Sequence, residues 1–217
     1  MYKLPLFPLN TVLFPGMPLR LHIFEDRYKQ MMNQCLELHQ PFGVVLIREG
    51  VEVGGPLAEP HTIGCTAQIM QVEPLDQGSM NITAIGEERF RILSLARDQV
   101  YLAGIVESCP LSNRSPKALK RAGRHLRPWV EQYLDILTSA GNVQFDSSQL
   151  PEDPLSLAYL AAYLVQVPPA QKQELLSVEQ AARFVESVAM VIRREVLLLN
   201  TIIARESAED EGPFSLN

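Results

Sequence analysis

Residues 4–28 read LPLFPLNTVLFPGMPLRLHIFEDRY, and the prolines at 5, 8, 15 and 18 constrain the backbone more than any other stretch of the chain. Each one fixes φ and removes an amide donor, so a helix cannot run through them and a central strand cannot hold them. Pro15-Gly16 is the order that a tight turn wants. The apolar runs on either side, 6–14 and 19–24, are rich enough in Leu, Val, Ile and Phe to be strands that open a sheet rather than cross its centre. Beyond Phe24 the period lengthens, since Tyr28, Met31 or Met32, Cys35 and Leu38 share one helical face. The expected opening is therefore strand, turn, strand, helix.

The same reasoning predicts further short strands at 42–47, 63–72, 80–85, 89–95 and 101–107, with turns at 74–79, 86–88 and 96–99. Alternation is visible in 63–72, where Ile63, Cys65, Ala67 and Ile69 point one way and Thr66, Gln68 and Met70 the other. So many short strands in succession imply a closed or nearly closed barrel. From Ser115 the period is helical. Ser115-Pro116 and Asp153-Pro154 are helix starts, and Gly141-Asn142 and Pro168-Pro169 are stops. Leu119, Ala122, Leu126, Trp129 or Val130, Tyr133 and Leu137 mark the first buried face, and Leu157, Leu160, Ala161 and Leu164 the second. Ser177 and Gln180 stand at capping-box spacing before a last helix to about 204, with a wide apolar arc from Phe184 and Val185 to Ile202 and Ile203.

The segments Phe7-Pro8-Leu9-Asn10, Val12-Leu13-Phe14-Pro15-Gly16, 19–28, Phe42-Gly43-Val44-Val45-Leu46, Ile63-Gly64-Cys65 and Gly86…Arg89-Phe90-Arg91-Ile92 together resemble the amino-terminal substrate-recognition domain of the Lon family of ATP-dependent proteases, above all the short bacterial proteins that carry this domain alone. The likeness weakens after Cys109 and departs at Asp76-Gln77-Gly78-Ser79, where the family often has a tighter Asp-Gly-Arg turn. It implies an α+β protein: a PUA-like β-barrel with an inserted helix over 1–110, followed by an α-helical bundle over 115–205. The tail 206–217 has an acidic run and no periodicity and is expected to be unstructured. The resemblance implies recognition of unfolded or extended polypeptide segments through a strand edge, an apolar groove between barrel and bundle, or both. A separate Lon protease is the implied partner, and no cofactor follows.

The chemistry of catalysis is missing from the pattern. Gly50, Gly54 and Gly55 are not followed by the Lys-Ser or Lys-Thr of a phosphate-binding loop, and no serine sits in a G-x-S-x-G elbow. A chain of 217 residues is too short for the ATPase and serine–lysine protease modules of a whole Lon protease. His22, His39, His61 and His125 have no metal-binding spacing, and Cys35, Cys65 and Cys109 each sit in an apolar run, as buried free thiols do. The longest apolar stretch, 155–165, is about half of the ~20 residues that span a bilayer, and no secretory leader opens the chain, so a cytoplasmic protein is expected.

Two sets of binding residues stand out. Phe14, Met17 and Met70 are apolar side chains at a turn or on an outward strand face, suited to apolar polypeptide segments. Lys117, Lys120, Arg121 and Arg124 share a helical face with no intervening acid. They are read either as a solvated surface or as a site for an anionic partner, protein or nucleic acid. A net charge of −6 opposes a general affinity for nucleic acid, which keeps the nucleic-acid or ribonucleoprotein module as the alternative to polypeptide recognition.

Overall fold

The computed structural model describes residues 1–52, 58–96, 98–139 and 149–210, with 206–210 as backbone only. The expected loop glycines Gly54 and Gly55, the stop at Gly141-Asn142 and the tail 211–217 lie outside them. The chain divides into two compact units, Met1–Ser112 with Ala162–Gln180, and Asn113–Ala161 with Ala181–Asn217.

In the first unit β1 (Tyr2–Leu9), β2 (Pro18–Ile23), β3 (Phe42–Glu49), β4 (Glu59–Pro60), β5 (Ile63–Pro74), β6 (Met80–Ala96) and β7 (Ala103–Ser108) form a sheet of order β1-β7-β6-β5-β3-β4, with β2 paired to β6. A parallel pairing of Leu6–Leu9 with Gly43–Leu46 joins β1 to β3 and closes the path β1-β7-β6-β5-β3 into a barrel. The first strand thus closes a ring, where the prolines predicted an open edge. It does so because β1 changes partner half-way, with Tyr2–Pro5 registered on β7 and Leu6–Leu9 on β3. Each half has a side with no partner strand, so Pro5 and Pro8 obey the edge rule locally.

Two predicted boundaries moved for the same reason. Val12, Leu13 and Phe14 read as strand because they are apolar, yet they lie buried in the loop between β1 and β2, outside any ladder. Conversely, Gly86-Glu87-Glu88 reads as a turn, yet β6 continues through it, with a bulge against Cys65–Ala67 of β5. The glycine serves close approach: a Cβ there would lie 2.4 Å from the Phe14 carbonyl oxygen. Gly16, at φ +77°, donates to the Gly86 carbonyl at 2.7 Å, and Gly86 donates to the Met17 carbonyl at 2.9 Å. The Pro15-Gly16 turn is thereby docked on β6, and it sets β2 alongside the first half of that strand.

Helix α1 (Asp26–Glu37) buries Tyr28, Met31, Met32 and Cys35 in one cluster with Phe7, Phe42, Cys65 and Ile82, while Leu38, predicted on that face, is the exposed C-cap. Pro168-Pro169 does not only stop a helix. It also opens α4 (Pro169–Ser177), with Pro169 at the first helical position. Within α4 the buried Gln173 donates to the Ile63 carbonyl at 3.0 Å, tying this helix to β5.

The second unit holds α2 (Pro116–Ser139), most of α3 (Pro154–Leu164) and α5 (Ala181–Asp210). Helix α2 buries Leu119, Ala122, Leu126, Val130, Tyr133 and Leu134, so the undecided position goes to Val130, and Leu134 takes the place expected for Leu137. Trp129 stays half-buried, with the Arg193 guanidinium of α5 5.5 Å from its ring centre. Asp153 caps α3 by accepting from the Ser156 amide at 2.8 Å and its hydroxyl at 2.9 Å. Ser177, read as the cap of the last helix, instead ends α4, its hydroxyl donating to the Gln173 carbonyl at 2.7 Å. Helix α5 continues to Asp210, past the expected end near 204, so 206–210 are helical rather than unstructured. Its wide apolar arc is buried at Ala181, Phe184, Val185, Val188, Ile192 and Val196, and about half exposed at Leu197, Leu198, Ile202 and Ile203.

Candidate functional site

An apolar cleft of about 140 Å³ opens beside β2. Phe7 and Leu9 of β1, Leu21 and Ile23 of β2 and Tyr28 of α1 line its interior, with Arg20, His22, Phe24, Glu25 and Glu52 also in its wall. Its position follows from the partner change in β1. On the side of β6 away from β5, β2 pairs with residues 80–85 and β7 with residues 90–96, so the ring is closed at the β7 level. At the β2 level, Phe7 and Leu9 face β2 across the cleft, and no pairing between the two strands is seen among the described residues.

The free edge of β2 can be read from the register. Gly86 bonds to Met17, and the pairing then runs without a shift from Pro18↔Ile85 to Ile23↔Met80. The alternation of an antiparallel ladder therefore points the peptide groups of Leu19, Leu21 and Ile23 at β6 and those of Arg20 and His22 outward. Pro18, also outward, offers a carbonyl and no N–H. Pro18, Arg20 and His22 have exposed side chains, whereas Leu19 and Leu21 are half-buried and Ile23 is buried.

The wall of the cleft is held rigid by stacking and ion pairing. Phe7 and Tyr28 stack at 4.2 Å between ring centres, and the Arg27 guanidinium lies 4.7 Å from the Tyr28 ring centre while pairing with Glu25 at 2.9 Å. Burial pushes the Tyr28 phenol above its ordinary pKa, so it stays protonated. Glu52 accepts from the Asn10 amide at 3.0 Å. Phe24, 48% exposed, stacks on His22 at 5.8 Å, and His22 is bonded through Nδ1 to Asn81 at 2.9 Å.

The apolar residues singled out from the sequence are not brought together. Phe14 has no exposed surface, so it presents nothing to a ligand. Met17 is half-buried against the barrel core. Met70 is 66% exposed because it sits at the register shift between Ile69 and Gln71, where β5 carries a residue with no partner on β6. Of the cleft residues, the sequence signalled β2 as an edge through Pro18, but nothing in it marked Phe7, Phe24 or Tyr28 as neighbours, since only the barrel joins them. Lys117, Lys120, Arg121 and Arg124 are all exposed along α2.

Among the described residues, no group of three or more His, Cys, Asp and Glu side chains could hold a metal ion, and no helix is long and apolar enough to cross a membrane. Cys35 and Cys65 are buried thiols, their pKa values pushed by desolvation up to about 11 and about 12. Cys109 is half-buried.

Fold and cleft together define an α+β protein whose closed barrel carries an unpaired strand edge over an apolar slot. Residues 3–194 match the family profile of the ATP-dependent protease La (LON) substrate-binding domain, and the chain belongs to that family, as the segments from 7–16 onward implied. It is 29% identical over 201 residues to the Lon protease of Paraburkholderia phytofirmans, covering 91% of this chain and 25% of that protein. It is 26% identical over 204 residues to Lon protease 2 of Myxococcus xanthus, covering 92% and 25%. The chain thus spans about a quarter of the length of the curated relatives it matches. Among solved structures, the Lon N-terminal domain protein from Xanthomonas campestris superimposes with a TM-score of 0.62 at 24% identity, over 87% of this chain and 97% of that one. The N-terminal domain of Mycobacterium avium complex Lon protease gives 0.60 at 16%, over 88% and 98%. At these identities the likeness speaks for the fold.

Proposed function

We propose that this chain binds extended or partly unfolded polypeptide segments by adding them as a strand to the outer edge of β2, with one apolar side chain entering the cleft. The observation that carries this reading is the outward pair of Arg20 and His22 peptide groups bordering a slot floored by Phe7, Leu9 and Tyr28. Main-chain hydrogen bonds at such an edge hold many sequences alike, and the slot selects for one side chain. An engineered cavity of about 150 Å³ takes a benzene ring, so a slot of similar volume takes one large apolar side chain. Membership in a substrate-binding family supports the same reading. Binding without chemistry is proposed as this chain's own activity, with a Lon protease acting on the same segments as the implied partner. Met17 and Met70 are kept as secondary apolar contacts at the end of β2 and on the outer sheet face.

The test uses His22→Pro, which removes an outward N–H and leaves the β6 side of the ladder intact. Binding of reduced, unfolded casein is expected to weaken by about 0.5–1.5 kcal/mol, one net hydrogen bond, with Tm lowered by at most a few degrees through loss of the exposed His22–Asn81 bond. Hydrogen exchange at the Arg20 and His22 amides should slow in the parent when casein is added. Parent protein whose exchange at these amides ignores saturating casein refutes the edge, and casein cleavage or ATP hydrolysis that disappears on mutating this chain refutes the non-catalytic reading.

A further inference from the structure

The exposed cations of α2 form a separate candidate on different residues. Lys117, Lys120, Arg121 and Arg124 stand at i, i+3, i+4 and i+7, a stripe about 10 Å long at 1.5 Å per residue. None of their side chains makes an ion pair or hydrogen bond with another described residue, whereas the next cation, Arg127, pairs with Glu131. The stripe is unfavourable to the helix that carries it. Like charges at this spacing cost a few tenths of a kcal/mol per pair, and cations in the opening turns face the positive end of the helix, where the first turn has no acid.

The surroundings of the stripe distinguish between anionic partners. The apolar side chains of these turns, Leu119, Ala122 and Leu126, are buried, and the exposed neighbours are Asn113, Arg114, Ser115, Pro116 and His125. A protein interface is organised around buried apolar or aromatic anchors, which this face lacks. A phosphate backbone needs only positioned cations and hydrogen-bond donors. We propose that this face of α2 binds the phosphate backbone of single-stranded nucleic acid without reading its bases, independently of the β2 edge. The overall charge of −6 sets the affinity at the weak end of non-specific binding, which is about 10⁻⁴ M at physiological salt.

The probe is a fluorescein-labelled oligouridylate of about 20 nucleotides, followed by anisotropy from about 25 to 200 mM NaCl. Four phosphate contacts predict a slope of log K against log salt near −2.8, so that binding weakens about 50-fold between 50 and 200 mM. Replacing all four residues by Gln should bring the slope close to zero and leave casein binding as in the parent, with Tm equal to the parent's or a few degrees higher as the like-charge repulsion is relieved. The proposal is overturned if the parent gives no signal at about 200 μM protein in 25 mM NaCl, which would be well above the weak-end Kd. It is also overturned if the Gln variant keeps the slope. Competition by polyglutamate as strong per charge as by unlabelled oligouridylate overturns it in favour of an acidic protein partner.

Discussion

Gly86→Ala tests whether the docked Pro15-Gly16 turn positions the edge of β2. The added Cβ would sit 2.4 Å from the Phe14 carbonyl oxygen and 3.1 Å from both the Phe14 carbonyl carbon and Leu13 Cγ, so backbone must move. Overpacking of this kind costs about 1–3 kcal/mol. Shifting the loop also strains the two bonds between Gly86 and the turn, Gly16 N–H to Gly86 O and Gly86 N–H to Met17 O, each worth about 0.5–1.5 kcal/mol. The sum, about 2–6 kcal/mol, lowers Tm by roughly 4–24 °C in a chain of this length. Gly78→Ala is the control: at φ +72° it carries backbone strain of about 1–2 kcal/mol but has nothing within 4 Å of its Cβ. Thermal unfolding by circular dichroism, with casein binding measured well below both transitions, separates the two. Gly86→Ala should lose stability and affinity together, and Gly78→Ala should lose a little stability and no affinity. A Gly86→Ala protein that melts within 2 °C of the parent would refute the close-approach argument, because the steric cost set by that distance would then be absent.

Phe24→Ser removes a half-exposed ring at the cleft mouth, so it should leave Tm nearly unchanged and weaken casein binding by about 1 kcal/mol, roughly fivefold in Kd by titration. Met70→Ser is expected to be smaller in effect, with stability within about 0.5 kcal/mol of the parent, since its side chain is mostly in water already. Native protein at pH 8 should react with a thiol reagent at Cys109 ahead of Cys35 and Cys65, which become reactive on unfolding. Because folding raises the Cys35 and Cys65 pKa values from 9.0 to about 11 and about 12, the unfolded chain loses these protons first as pH rises. Their contribution to stability is full below pH 9 and lost between about pH 9 and 12, so a Tm that climbs across that window contradicts the burial of both thiols.

Local patterns carried well where one physical cause dominated. The 3.6-residue period placed Tyr28, Met31, Met32 and Cys35 on the buried face of α1, and Asp153 before Pro154 announced a capped helix. Reading failed where burial and ladder pairing part company. Val12 to Phe14 are as apolar as a strand yet make no ladder, and Gly86-Glu87-Glu88 is as polar as a turn yet continues one. Ser177 can cap a helix, but its hydroxyl is taken by a carbonyl in α4. Phe14 reads as a binding residue at the turn because position in sequence cannot tell an exposed phenylalanine from one that is 0% exposed.

From its residues alone this chain had to open with short proline-punctuated strands and a turn at Pro15-Gly16, continue into helices, one of them capped by Asp153, and present a row of cations on α2, because φ restriction, missing donors, helical period and charge are properties of neighbours along the chain. The closure of β1 on β3, the docking of the turn on Gly86 and the cleft joining Phe7, Leu9 and Tyr28 to the outer edge of β2 were decided only by the tertiary structure. Those features depend on pairings between residues tens of positions apart, whose register is selected by the packing of the whole barrel rather than by any local preference.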